Sequence, residues 1–152
     1  MSARAIQIAV LHGVNLDQLG RRDPAQYGSL TLPELEARVR ERAEELGMQA
    51  TCFQTNHEGE FVERLHALRG EADGVLLNPG AWTHYAWSIR DALEVAALPA
   101  VEVHLSDVEQ REEWRRVSVI RELCFATVSG RGPGGYDDAL ELMGARLEGS
   151  GG

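Results

Sequence analysis

At 152 residues, 43% hydrophobic and 26% charged, the chain is long enough for one domain with a substantial core, and no second domain is expected. A formal charge of −9 without a basic tract argues against nucleic-acid or anionic-membrane binding, so the expected partners are a small-molecule substrate and further copies of the chain. All 15 basic residues are arginine, and the missing lysine excludes a side-chain Schiff base, a pyridoxal-phosphate anchor and a Walker A phosphate loop.

In chain order, residues 5–11 (AIQIAVL) predict a first strand, and Thr31-Leu-Pro-Glu34 has capping-box spacing at the head of a helix that Gly47 ends. Residues 49–53 predict the second strand, 59–68 a helix, and 74–77 a fully apolar third strand. Residues 84–97 form an amphipathic helical pattern, 100–104 the fourth strand, 111 to about 121 a short helix, 124–129 the fifth strand and 136–147 the last helix. Five strands alternating with helices predict an α/β fold, a flavodoxin-like, doubly wound, five-stranded parallel sheet with helices on both faces. The expected domain spans 1–147, followed by a disordered tail over 148–152. Apolar runs stop short of the roughly 18 residues of a membrane span and the N-terminus lacks a signal-peptide pattern, which makes the cytoplasm the expected compartment. Cys52 and Cys124 lie far apart without a C-x-x-C, the pattern of buried free thiols rather than a disulfide or metal frame.

The most informative stretch is residues 99–106, PAVEVHLS. Glu102 and His104 stand two positions apart on one strand and so share a face. A carboxylate and an imidazole in a strand covered on both sides are costly unless they satisfy each other or a ligand, and Glu102 is placed to orient His104. An isolated E-x-H would ordinarily be a core pair. Here, however, polar residues follow every strand: Asn15 the first, Gln54 and Asn56 the second, Asn78 the third, His104 and Ser106 the fourth, and a glycine loop the fifth. Open α/β sheets bind ligands at the carboxyl ends of their strands, so these residues converge on one place. The glycine loop, Gly130-Arg-Gly132-Pro-Gly-Gly135, fits G-x-G-x-x-G but precedes a single last helix rather than opening a βαβ unit, so a tight turn is expected there instead of a dinucleotide site.

The longest loop, residues 13–30, carries Arg21, Arg22, Asp23 and Tyr27, and long loops in compact domains tend to be lids or binding loops. A guanidinium beside a tyrosine favours the phenolate. With Tyr27 as base beside Arg22 and His104 as acid, a proton could leave one side of a substrate while a hydroxyl leaves the other.

The segments LHGVNLDQLGRRDPAQYG, FQTNHEG, LLNPGAWTHYAWSIRDAL, VEVHLSD and REEWRR, in this order and spacing, resemble the type II 3-dehydroquinate dehydratases along nearly the whole chain. The resemblance implies conversion of 3-dehydroquinate to 3-dehydroshikimate without metal or other cofactor, in a dodecamer built as a tetramer of trimers. By the same resemblance Tyr27 matches the proton acceptor, Arg22 its phenolate-favouring partner, and His104, oriented by Glu102, the proton donor. Asn15 matches the residue that helps hold an enolate-stabilising water. Asn78, His84, the Leu105 and Ser106 backbone amides and Arg115 match substrate-binding positions, Arg111 lies near the tyrosine, and Asp91 matches an aspartate contributed across a subunit interface.

The chain departs from the family pattern at three places: His12-Gly-Val14-Asn15 replaces N-G-P-N, Ser106-Asp107 replaces S-N, and Arg115-Arg116-Val117-Ser118 replaces R-H-x-S. Asp107 adds negative charge beside the expected carboxylate pocket, which should weaken binding unless Arg116 or His12 compensates, and Val14 removes a proline that would stiffen the loop. The alternative to an active enzyme is a diverged relative that binds a cyclic hydroxy acid, with or without catalysis.

The missing lysine yields a direct test. Borohydride added with 3-dehydroquinate should leave the protein mass and activity unchanged, because no side-chain imine can form. Only the α-amino group remains as an amine, and a reduced adduct there, accompanied by loss of activity, would defeat the enolate route.

Overall fold

The computed structural model describes residues 4–150, and its strands form one parallel sheet in the order β2-β1-β3-β4-β5. This is the flavodoxin-like order expected from the strand and helix alternation. The strands are β1 (Ile6–His12), β2 (Met48–Gln54), β3 (Gly74–Asn78), β4 (Ala100–His104) and β5 (Ala126–Ser129). β3 and β4 are buried at every position, as central parallel strands covered on both faces must be.

Between β1 and β2 lie a single helical turn, α1 (Pro24–Tyr27), and α2 (Leu32–Glu45). The capping box is formed at α2: Glu34 N–H donates to Thr31 Oγ1 at 3.4 Å while Glu34 Oε1 accepts from the Thr31 N–H at 3.1 Å. Leu35, Val39 and Ala43 recur at helical spacing and are buried against the sheet. Three helices follow: α3 (Glu58–Ala67), α4 (Trp87–Ala96) and α5 (Gly134–Ser150). One core layer joins α2 and α5 to the sheet through Ile8, Val10, Leu35, Val39, Val101, Val103, Leu140 and Met143. The other joins α3 and α4 through Leu11, Phe61, Leu65, Val75, Leu77, Ile89 and Leu93. Alternation along each strand divides these residues between the two layers.

Three expectations need correction. The helix expected over 111–121 is instead a string of short 3-10 turns, Val108–Gln110, Glu113–Arg116 and Arg121–Leu123. That segment has no apolar stripe at helical period. Its anchors are specific instead, with Val119 and Ile120 buried and Val119 N–H bonded to the Thr83 carbonyl at 2.8 Å. The helix expected from residue 84 begins at Trp87, because the Gly80–His84 segment forms a separate 3-10 turn that aims His84 elsewhere. The tail expected from residue 148 begins inside α5, which continues to Ser150, and residues 151–152 lie outside the described residues.

Two close approaches lock the loops at the carboxyl end of the sheet. A Cβ on Gly13 would lie 2.2 Å from the Pro79 carbonyl oxygen, and one on Gly80 would lie 2.6 Å from that of Val14. The turns after β1 and β3 therefore touch backbone to backbone, and the Gly13 N–H donates to the Asn78 carbonyl at 2.8 Å. Both cysteines are free, with Cys52 on edge strand β2 and Cys124 just before the opposite edge strand. Burial pushes their thiols up to about 11 and about 12 respectively. Among the described residues no helix is long and apolar enough to cross a membrane.

Candidate active site

A cleft opens at the carboxyl ends of β1, β3 and β4, with about 580 Å³ of empty space, part of it continuous with solvent. Ten of the residues singled out from the sequence line it: Asn15, Arg22, Tyr27, Asn78, His84, His104, Leu105, Ser106, Arg111 and Arg115. Glu102 lies beneath, in contact with His104. Asp91 does not join them; it is exposed on α4, outside the cleft of its own chain.

The floor of the cleft is a buried carboxylate with its donors. Glu102 is fully buried, and its Oε2 lies 2.5 Å from His104 Nε2. The same oxygen accepts from the Thr83 hydroxyl at 2.6 Å, and Oε1 accepts from the Ser118 hydroxyl at 2.7 Å. Burial acts first to raise the Glu102 carboxyl, but the bonds from His104, Thr83 and Ser118 together outweigh it and hold the group below the usual carboxylate range. With one imidazole nitrogen tethered to Glu102, the other is left to serve the cleft, and the ring cannot turn without breaking a charge-assisted bond. Thr83 and Ser118 were not legible as partners of Glu102. Ser118 comes from one of the divergent segments, and Thr83 reaches the carboxylate only because the Gly80–His84 turn folds back over β4.

The wall of the cleft is a tyrosine between two arginines. Arg22 donates to the Tyr27 hydroxyl oxygen at 2.7 Å and Arg111 donates to it at 2.6 Å. The Arg22 guanidinium also sits 3.8 Å from the Tyr27 ring centroid. α1 makes this possible: Asp23 caps the turn by accepting from the Ala25 N–H at 3.0 Å, and Gly28 leaves it at φ 76°. Arg111 reaches in from the segment after β4 and donates to Ser106 Oγ at 3.3 Å as well. An acidic chain has thus gathered Arg22, Arg111 and Arg115 around one cleft, a local field suited to an anionic ligand.

The remaining lining residues are fixed by their neighbours. Asn15 holds a left-handed φ of 68°, and its N–H donates to Asn56 Oδ1 at 2.8 Å. Gln54 donates to the Gly13 carbonyl at 3.2 Å, so Gln54 and Asn56 brace the first loop from behind rather than line the cleft. His84 Nδ1 donates to the Val117 carbonyl at 2.6 Å, and burial is the main influence lowering its basicity. The glycine loop is a turn, as expected. Gly130 and Gly132 donate to the Ser106 and Leu105 carbonyls at 3.1 and 3.2 Å and so secure the turn after β4.

Asp107 does not line the cleft; its Oδ1 caps the 3-10 turn that follows by accepting from the Glu109 N–H at 3.1 Å. A Cβ on Gly130 would come within 2.9 Å of the Asp107 Cβ, which shows how closely that turn packs. The charge introduced by Asp107 is therefore spent on a local cap. His12, the other candidate compensator, is buried elsewhere and also does not line the cleft.

The family described as Dehydroquinase class II matches residues 6–144. The 3-dehydroquinate dehydratase of Pelobacter propionicus is 48% identical over 147 residues, covering 93% of this chain and 99% of that one. That of Syntrophotalea carbinolica is 50% identical over 131 residues, covering 86% of this chain and 88% of that one. The crystal structure of the type II dehydroquinase from Propionibacterium acnes superposes with a TM-score of 0.89 at 39% identity, covering 95% of this chain and 99% of that chain.

The Glu102 network makes a stability prediction whose sign depends on pH. Because the folded group is held below its ordinary range, its contribution is complete above the unfolded carboxylate range and disappears as pH falls through the lower folded value. Thr83→Val and Ser118→Ala each remove one donor to a buried charge and should cost about 1.5–3 kcal/mol at neutral pH. In denaturant melts the gap between variant and parent should shrink below the carboxylate range. A gap that stays constant with pH would mean the hydroxyls act by packing alone.

Proposed function

The chain belongs to the class II dehydroquinases, and we propose that it eliminates water from 3-dehydroquinate through an enolate, without imine or metal, to give 3-dehydroshikimate. One observation carries this reading: a single phenolic oxygen takes hydrogen bonds from two guanidinium groups in the same cleft as an imidazole tethered to a buried carboxylate. Such a pair suits the removal of a proton from one carbon and the protonation of a leaving group on the next.

In this mechanism Tyr27, as phenolate, takes the proton from the carbon next to the substrate ketone, and Arg22 and Arg111 stabilise the negative charge before transfer. The electron pair left on carbon is delocalised into the carbonyl as an enolate, which a water held with the help of Asn15 stabilises by hydrogen bonding. As the enolate collapses, the hydroxyl on the neighbouring carbon leaves with the proton that His104 donates, and Glu102 holds the imidazolium in position until then. Exchange with solvent returns the proton from Tyr27 to His104, so only water has been lost. Asn78, His84, the Leu105 and Ser106 amides and Arg115 bind the substrate's hydroxyl and carboxylate groups.

A lysine-free chain cannot follow the imine route, and this one has arranged hydrogen bonds in its place. The position of Asp107 outside the cleft, where it caps the following turn, supports an active enzyme over a binding protein with altered specificity.

The proposal extends to assembly. α4 presents Trp87 and Val95 to solvent, 64% and 53% exposed, on the helix that carries Asp91. The neighbouring Tyr85 is 58% exposed as well, and exposed large apolar side chains of this kind are what subunit contacts cover. A dodecamer of four trimers, with Asp91 completing a neighbour's cleft, accounts for both the exposed surface and the position of Asp91.

Tyr27→Phe keeps the ring and removes the base. Turnover should fall by about 10²–10⁴-fold or more, while calorimetry with a quinate-like acid should still show binding. Near-normal turnover in this variant would reassign the base. Light scattering in dilute buffer addresses the assembly, where the expected species is the dodecamer. A fully active monomer would remove both the oligomer and the shared role of Asp91.

A further inference from the structure

The catalytic cleft draws on the α3/α4 side of β4, where Glu102 and Thr83 lie. On the other side of the sheet, beneath α2, three chemistry-bearing side chains meet without any part in the elimination. His12 is the last residue of β1 and follows Ile8 and Val10 on the face that packs into the α2 and α5 layer. Cys52 stands opposite Val10 on β2, and Glu36 faces the sheet from α2. His12 Nε2 lies 3.4 Å from Glu36 Oε2, and one ligand atom from each of His12, Glu36 and Cys52 falls within 4.8 Å of the others.

His12 sets this group apart from an ordinary buried cluster. It is completely buried, yet neither ring nitrogen has a hydrogen-bond partner; the approach to Glu36 is close but not aligned for a bond. Among the described residues it is the one buried side chain with both of its polar atoms left unsatisfied. A native structure rarely leaves buried polar atoms so, and each case calls for a missing partner. A partner that accepts electron pairs suits one of these nitrogens, because Glu36 and a thiolate beside it offer electron pairs to the same point.

We propose that His12, Glu36 and Cys52 bind a single divalent metal ion of the zinc type, through imidazole nitrogen, carboxylate oxygen and thiolate sulfur, and that this ion ties α2 to β1 and β2. Bonds of about 2.0–2.3 Å in tetrahedral geometry place neighbouring ligand atoms roughly 3.3–3.8 Å apart. The His12 to Glu36 separation of 3.4 Å is already at that spacing. The sulfur, within 4.8 Å of the other two ligand atoms, has up to about 1 Å to close to reach that spacing, and the Glu36 side chain, 19% exposed, can shift toward it and admit a water as fourth ligand. Thiolate and carboxylate together neutralise a divalent ion, leaving the buried site uncharged. One carboxylate with imidazole and sulfur is a poor set for magnesium or calcium, which seek several oxygens, and a suitable one for zinc or cobalt. Binding replaces the thiol proton with the metal and releases that proton to buffer. Arg40 and Tyr136 also approach the group, the latter with ring centroids 6.0 Å from His12. None of the three ligands lines the cleft, so the ion is structural and has no step in the elimination.

The test uses the full chain without a histidine tag, stripped by chelator and titrated with cobalt(II) as spectroscopic probe and with zinc(II) by calorimetry. One equivalent of cobalt per chain should produce a thiolate charge-transfer band and the intense visible bands of a tetrahedral ion, and zinc should raise the melting temperature. Cys52→Ser should abolish the charge-transfer band. Glu36→Gln, at a partly exposed helical position that tolerates the change, should weaken zinc binding at least tenfold and carries the test if the serine variant does not fold. Absence of stoichiometric binding would overturn the site, as would a weak octahedral cobalt spectrum or binding unchanged in both variants.

Discussion

The buried charge of Glu102 is the constraint on which the cleft depends. A carboxylate with no exposure to solvent is tolerated only when its oxygens are fully occupied, and here three donors arrive from three different segments. His104 comes from the same strand, Thr83 from the turn after β3, and Ser118 from the irregular stretch between β4 and β5. To satisfy one charge the chain must bring those segments together at the carboxyl end of the sheet. The segments that satisfy Glu102 also deliver His84 and Arg115 to the cleft, so the fold energetics and the site geometry have a common origin.

The second organising feature is the distribution of positive charge in a chain whose balance is −9. Many arginines are engaged in ordinary surface pairs, such as Arg38 with Asp137 and Arg42 with Glu141, whose worth is about 0–1 kcal/mol each. Arg22 and Arg111 are different. Each directs a hydrogen bond to the phenolic oxygen of Tyr27, although carboxylates abound on this surface. That preference makes sense if the oxygen is to bear charge during the reaction, since a preorganised cation needs no rearrangement when charge develops. Arginine supplies this better than lysine would, because its planar, fixed donors can bind the oxygen and lie against the ring together.

Most of the architecture could be read from the sequence because it rests on local signals. Period-2 and continuous apolar runs marked all five strands, the capping box marked α2, and strand ends located the cleft. Boundaries moved by one to three residues where tertiary contacts extended a ladder, as at His12, which pairs with both Gln54 and Asn78. The failure over residues 111–121 has a different cause. A short helix was expected there, yet the backbone is shaped by what Val119, Ile120 and Ser118 must reach, none of which is a local property. The site was legible where a residue type has few ordinary uses on a strand end, as with Glu102 and His104. Thr83 and Ser118 carry no such mark, since hydroxyls have many roles, and only the folded arrangement reveals that they share one acceptor.

The departures from the family pattern follow the same logic. A residue that looks disruptive by type stands outside the cleft when its side chain is turned away, as Asp107 is by capping the turn after β4. His12 is the reverse case. Its backbone carbonyl still accepts from the Thr55 N–H at 3.1 Å and its neighbour Gly13 still meets Asn78, so the strand end that positions Asn15 and Asn78 is intact whatever side chain stands there. The imidazole is thereby released from any duty in the cleft and projects into the layer beneath α2, where Glu36 and Cys52 lie within reach. A substitution that leaves these backbone contacts in place while burying an imidazole without a hydrogen-bond partner serves no step of the elimination, and its reason lies on that other face of the sheet.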